Sequence, residues 1–178
     1  DRFVKALGIS QSSLVGAQQV HQDNIYRVAR SDKGRGAFEA ATVIPRTDAL
    51  ITNERGIALT AFFADCVPVF FLDPVNKAAA IAHAGWKGTV AHIAAKTVQA
   101  LGENFGTVPA QLLAAVGPSI GPCHYQVDKP VIERVKEAFP LDWAGLLSDI
   151  SEDGFCQFNL WDANVLQLKQ AGIPQENI

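Results

Sequence analysis

Apolar and polar residues change period several times along this chain, and each change marks an element. From Asp1 to Leu7 the apolar positions Phe3, Val4 and Leu7 fall on one helical face, and Gly8 follows as a stop. Leu14–Val20 and Ile25–Val28 predict short strands around the polar His21-Gln22-Asp23-Asn24. Residues Ala29 to Arg46 show no period and carry glycines, which predicts a loop. A strand is expected at Ala49–Thr52.

The centre has the clearest pattern. Ile57, Leu59, Ala61 and Phe63 alternate with smaller residues, as in a strand with one buried face. Val67–Leu72 is apolar throughout, the pattern of a strand covered on both sides. Asp73-Pro74-Val75-Asn76 reads as a turn into a small-residue strand, Ala78–His83, so the two runs predict an antiparallel hairpin. A helix is expected over Thr89–Leu101, with Val90, Ile93, Ala94, Thr97 and Leu101 inward and Gly102 ending it. Leu112–Val116 predicts a strand running into Gly117-Pro118-Ser119-Ile120-Gly121-Pro122. Asp128 suits the cap of a helix to Phe139 with Pro130 in its first turn, and Asn159 or Asp162 opens a last helix that stops at Gly172. With no repeat, low-complexity tract or linker, the pattern predicts mixed α and β structure in one domain.

Composition narrows the function classes. The 178 residues are 48% hydrophobic and 19% charged with a net charge of −3, a globular profile large enough for a buried core. No lysine-arginine cluster stands out, and Lys33, Arg35 and Arg46 are scattered, so nucleic acid is not an expected partner. The longest apolar run, Val67–Leu72, falls far short of the roughly 18 to 20 residues that a membrane helix needs. Three cysteines, Cys66, Cys123 and Cys156, are too few for a disulfide framework in a chain of this size and suit a reducing compartment. No signal peptide is visible from Asp1 onward.

Three reactive side chains end or interrupt apolar runs: His21 after Val20, Cys66 after Asp65, and His83 after Ala82. Strand ends are rigid places from which side chains converge, and a cysteine with two histidines is a natural zinc set that leaves one position open. The alternative is that each packs in the core, since the spacings are not those of a zinc finger. Gly85-Trp86-Lys87-Gly88-Thr89 then opens a helix, where Gly85 and Gly88 would let backbone N–H groups approach an anion and Lys87 would add charge. On their own, the same residues read more simply as an ordinary turn with Trp86 packed over it. Cys123 and His124 are adjacent, which in an extended segment sends them to opposite faces. His92 is expected inside its helix, on the surface or partly buried.

Taken in order, Gln19-Val20-His21, Ala64-Asp65-Cys66-Val67-Pro68, Ala82-His83-Ala84-Gly85-Trp86-Lys87-Gly88-Thr89 and Gly117-Pro118-Ser119-Ile120 closely resemble the YfiH/laccase-domain family, from Val15 to about Gly172. The resemblance implies a metal site of His21, Cys66 and His83, a compact single α+β domain of mixed β-sheets flanked by helices, and a cytoplasmic setting. It further implies a zinc-dependent enzyme that cleaves purine nucleosides such as adenosine, inosine and methylthioadenosine with phosphate, and also deaminates adenosine. This chain departs from the family at Gln22, where a small residue is usual, and at Phe63, where threonine is usual. It departs again at Tyr125-Gln126, where a tyrosine–glutamate pair is usual. The arginine-bearing segments that family members carry at both ends have no counterpart between Asp1 and Ile178.

Three chemistries compete for these residues. In a zinc enzyme, the metal would acidify a bound water to about pKa 7 for attack on C6 of adenine, and Asp65 would carry a proton or orient a ligand. In a copper polyphenol oxidase the same trio would resemble a blue-copper site, but the four histidines leave only His92 and His124 for a three-copper centre. In a metal-free hydrolase acting on peptidoglycan precursors, Cys66 would be a nucleophile activated by histidine. In each case the expected partner is a small molecule.

Overall fold

Chain order in the computed structural model, which describes residues 2–148 and 151–178, bears out the mixed pattern. The helices are α1 (Arg2–Ala6), α2 (Trp86–Val90), α3 (Ile93–Phe105), α4 (Lys129–Ala138), α5 (Trp143–Leu146) and α6 (Leu160–Gln170). The strands are β1 (Leu14–Gly16), β2 (Ile25–Arg27), β3 (Ala49–Thr52), β4 (Ala58–Thr60), β5 (Val67–Asp73), β6 (Ala78–Ala84), β7 (Leu113–Val116), β8 (Gln126–Val127), β9 (Leu147–Ser148) and β10 (Cys156–Phe158). A five-stranded sheet of order β2-β3-β6-β5-β7 is the centre, parallel at β2–β3 and antiparallel elsewhere. Small sheets of two strands, β1-β4, and three strands, β8-β10-β9, flank it. The result is an α+β domain of mixed sheets, with six helices among the described residues.

The hairpin forms as read: Val67 faces Ala84 at one end of β5–β6 and Asp73 faces Ala78 at the other. The Asp73 carboxylate holds the turn by accepting from the Val75 and Asn76 N–H groups, both at 2.9 Å. α3 and α6 lie against the sheet and against each other. Between them is the main core, which includes Val67, Val69, Phe71, Ile93, Leu101, Phe158 and Leu168, all nearly or fully buried. A second cluster of Val15, Val28, Ile44, Leu50 and Ile81 lies under the β1–β4 ribbon. That ribbon reaches β6 but leaves Phe70, Leu72 and Leu113 exposed, so β5 is covered on both faces only along part of its length.

Several boundaries differ from the pattern. The strand expected from Leu14 to Val20 ends at Gly16, and the chain then runs irregularly through His21. The helix expected over Thr89–Leu101 is two helices, broken at Ala91-His92, with His92 in the left-handed region at φ 60°. The apolar face continues across the break, with Ile93, Ala94, Thr97 and Leu101 buried, so the period alone hides it. Gly102 lies inside α3, which stops instead at Gly106, where φ is 71° and the N–H closes onto the Gly102 carbonyl. Val4 of α1 is buried, but Leu7, just past the helix end, is exposed; Asp1 and the Phe3 side chain lie outside the described residues. Among the described residues, no helix is long and apolar enough to cross a membrane.

Candidate metal centre

His21, Cys66 and His83 come together: one ligand atom from each lies within 4.8 Å of the others. They reach the site by three routes. His83 is the penultimate residue of β6 and is buried, with 3% of its surface exposed. Cys66 directly precedes β5, the partner strand, so the hairpin register brings the two side by side. His21 sits on no strand at all; it occupies an irregular segment with φ 58°, in the left-handed region that non-glycine residues rarely enter. Its ring meets that of His83 edge to face, 4.7 Å between centroids.

What holds His21 in that conformation is a carboxylate that pattern reading passed over. Asp48 is buried beneath the loop and accepts four N–H groups: Val20 at 3.2 Å, His21 at 2.9 Å, Gln22 at 2.9 Å and His83 Nδ1 at 2.9 Å. Its Oδ1 binds both the His21 backbone and the His83 ring, so one side chain orients two members of the cluster. With Nδ1–H donated to Asp48, His83 presents Nε2 as a lone pair, the usual arrangement of a carboxylate behind a metal-ligating histidine. Burial also holds the His83 pKa below its ordinary value, against the Asp48 hydrogen bond and with help from His21, which keeps the ring neutral. The available signal was Asp48 standing directly before the fully buried run Ala49–Thr52, because a carboxylate at such a place needs several donors.

Asp65, expected as a proton carrier or orienter, stands directly before Cys66. It is exposed, its φ is 76°, and its carbonyl accepts from the Ile120 N–H at 3.0 Å. The carboxylate bonded to His83 is that of Asp48. Burial, then the charges of Asp65 and Asp48, push the Cys66 thiol pKa up. A thiol in that setting stays protonated near neutral pH unless a cation replaces its proton.

The glycines of the turn bring the backbone close to the cluster. A Cβ on Gly85 would stand 2.9 Å from Cys66 Sγ and 3.4 Å from His21 Cδ2, so its bare Cα makes room for the cluster. Gly88 is buried, and a Cβ there would meet the carbonyls of Gln22 at 3.1 Å and His83 at 3.3 Å. α2 is only five residues long and its Thr89 N–H already bonds Gly85. Lys87 remains exposed, its ammonium 5.6 Å from the Trp86 ring centroid. α2 is pinned from behind by α6, where Gln167 donates to the Thr89 carbonyl at 2.8 Å and Asn164 to the Thr89 hydroxyl at 3.1 Å.

Two cavities meet at His21. One, of about 360 Å³, is lined by Gln19, His21, Phe62, Phe63, Cys66 and His83, among others. The other, of about 470 Å³, includes His21, Gln22, Trp86, Lys87 and Arg134. Tyr125 stands close enough to Cys66 to feel its charge; burial first and that charge second push its phenol up to about 12, so its hydroxyl stays a donor. The remaining histidines are elsewhere. His92 packs on Phe139 with ring centroids 5.1 Å apart. The Cys123-His124 segment is a turn and not extended, so the two side chains meet at 2.9 Å instead of facing apart.

Comparison with known proteins places the chain in a family. The chain matches the family model described as multi-copper polyphenol oxidoreductase laccase over residues 1–178. It is 36% identical to purine nucleoside phosphorylase YlmD of Geobacillus stearothermophilus over 99% of this chain and 64% of that protein. It is 32% identical to adenosine deaminase RL5 of an unknown prokaryotic organism, over 97% of this chain and 65% of that one. The crystal structure of hypothetical protein YfiH of Bacillus licheniformis superposes with a TM-score of 0.96 at 38% identity, covering 99% of this chain and 66% of that one. The chain thus spans a little under two thirds of the length of these two curated relatives. A His-Cys-His cluster built on that fold and a family match along the whole sequence lead to one conclusion: this chain belongs to the multi-copper polyphenol oxidoreductase laccase family, whose YlmD and YfiH members are its relatives.

Proposed function

We propose that this chain carries the metal centre of a zinc-dependent purine nucleoside enzyme, with His21, Cys66 and His83 as the protein ligands. The observation that carries the reading is the convergence of three ligand atoms within 4.8 Å, backed by a buried carboxylate on the far nitrogen of one histidine. The donor set fits the metal: one sulfur and two imidazoles suit zinc, and three protein ligands leave a position for chemistry. A zinc ion held there supplies Lewis acidity beside a cavity large enough for a small molecule.

Relatives named for purine nucleoside phosphorolysis and adenosine deamination supply the substrate class. In phosphorolysis a phosphate oxygen bonds to C1′ of the ribose as the glycosidic bond to N9 breaks, and the base leaves with a proton. In deamination water adds at C6 and ammonia departs. Lys87 supplies a positive charge for phosphate next to His21, whereas Arg134 on the same cavity wall is paired with Glu137 at 3.0 Å. Tyr125, uncharged at neutral pH, is a hydroxyl donor on the Cys66 side.

The two competing chemistries are less well served. A three-copper centre lacks imidazoles, because His92 packs on Phe139 and His124 bonds Cys123. A Cys66 nucleophile needs a depressed thiol pKa, whereas burial and two carboxylates raise it. The test is elemental analysis of the untagged protein followed by incubation with adenosine, with and without phosphate. Expected are one zinc per chain, adenine with ribose 1-phosphate when phosphate is present, and inosine with ammonia when it is not. Copper at stoichiometric level with phenol oxidation, or metal-free turnover, would replace the reading.

A further inference from the structure

Phe62 is 82% exposed, an unusual state for a phenyl ring at the edge of a candidate active site. Its backbone is nevertheless fixed. The Gln19 amide pairs with it in both directions, Nε2 donating to the Phe62 carbonyl and Oε1 accepting the Phe62 N–H, each at 2.8 Å. Gln19 lies two residues before His21, so the same segment that carries a ligand also sets the aromatic residue. The next residue, Phe63, turns inward. It packs against the cluster of Val15, Ile44, Leu50 and Ile81 and sets its ring 5.5 Å from that of His83. Phe62, Phe63, His21, His83 and Cys66 therefore share one cavity, with one aromatic face anchored in the core and the other open to solvent.

A hydrophobic side chain held exposed by a two-way backbone clip is prepared to be covered by a ligand, and an aromatic one is suited to a flat ligand. Every nucleobase has such a face. We propose that Phe62 is the platform on which the purine base stacks, and so a specificity-determining residue of this site; this rests on the reading of the chain as a purine nucleoside enzyme. The base is then covered on one side by Phe62, with its reactive end toward the His21-Cys66-His83 cluster. Preference goes to ligands with a broad flat ring system, and Gln19 acts as a positioning residue through the Phe62 backbone.

The test uses the zinc-loaded protein and the variants Phe62→Ala, Phe62→Leu and Phe62→Trp, with calorimetric titration of adenine and steady-state kinetics on adenosine with phosphate. Expected is a rise in the adenine Kd and the adenosine KM of roughly 5- to 150-fold in Phe62→Ala, with a similar rise in Phe62→Leu. Phe62→Trp should retain or improve both, while zinc content stays at the parent level in all three. Parent-level adenine affinity and KM in Phe62→Ala would overturn the platform and leave the proposed activity standing. Adenine binding that depends on Phe62, in a protein that turns over no purine nucleoside, would remove the activity and keep the platform. Failure of the parent protein to bind adenine would overturn the platform.

Discussion

Replacing Asp48 by asparagine changes one oxygen to an amide nitrogen beneath the cluster, and the consequences follow from its four donors. Asparagine has one acceptor oxygen and one donor group, so two sets of N–H groups compete for a single oxygen. If the oxygen stays with Gln22, the amide N–H₂ faces His83 Nδ1, the ring takes its proton on Nε2, and the lone pair offered to the metal is lost. If the oxygen stays with His83, it keeps the His21 N–H as well, and the Gln22 N–H loses its acceptor, so the loop loosens just after His21. The first outcome costs metal affinity about 10- to 100-fold, or about 1.4–2.7 kcal/mol, the usual effect of removing the group behind a ligand. The second costs the half-buried Gln22 N–H its hydrogen bond, at about 0.5–1.5 kcal/mol of stability. Competition with a chromophoric chelator measures zinc affinity, and melting in excess chelator isolates the stability of the apoprotein. Asp48→Asn with parental zinc affinity and parental apo melting temperature would refute the role assigned to Asp48. Asp48→Ala, which strips all four donors of their acceptor, is expected to lose most of its fold and is the weaker test.

Gly85→Ala places a methyl 2.9 Å from Cys66 Sγ in a backbone conformation that alanine adopts readily, so the clash alone is tested. Zinc affinity should fall by about 1–3 kcal/mol, the cost of overpacking, in the same chelator competition, and parental affinity would contradict the close approach. His92 has its pKa held below its ordinary 6.5 by burial first and Lys96 second, against a backbone hydrogen bond to Ala138. The unfolded chain therefore takes up a proton that the folded chain refuses, and folded stability is lost as pH falls below 6.5. His92→Asn, which tolerates the left-handed backbone, should flatten that part of the urea-unfolding pH profile, with the parent showing the steeper loss. Lys87→Ala should weaken phosphate-dependent cleavage of adenosine by roughly tenfold or more, as for a lost charge-assisted hydrogen bond, and spare deamination; equal losses would make Lys87 structural.

Long periodic elements were readable because burial writes directly into sequence. The β5–β6 hairpin, α4 with its Asp128 cap and α6 with its Asn159 cap all stand where alternation, capping residues and helical period place them. The break at His92 was hidden because Ile93 and Ala94 continue the apolar face of α2 without a glycine or proline to mark the change. The short strands β8, β9 and β10 have too few residues to set up a period. At the site, the three reactive side chains were visible as interruptions of apolar runs, although only Cys66 and His83 are placed by strands. Asp48, which orients His83 and holds His21, belongs to a different segment, and its importance lies in four contacts made across the fold. Cys123 and His124 show the converse, since a turn joins what an extended chain would separate.

The central claim is that one metal ion is bound by His21, Cys66 and His83. X-ray absorption at the zinc edge of the purified protein tests it most directly, with Cys66→Ala measured beside Cys123→Ala. Expected is one sulfur neighbour at about 2.3 Å and two imidazole nitrogens at about 2.0–2.1 Å, with the sulfur shell lost in Cys66→Ala and kept in Cys123→Ala. A zinc spectrum without sulfur, or a sulfur shell that survives Cys66→Ala and vanishes in Cys123→Ala, would contradict it.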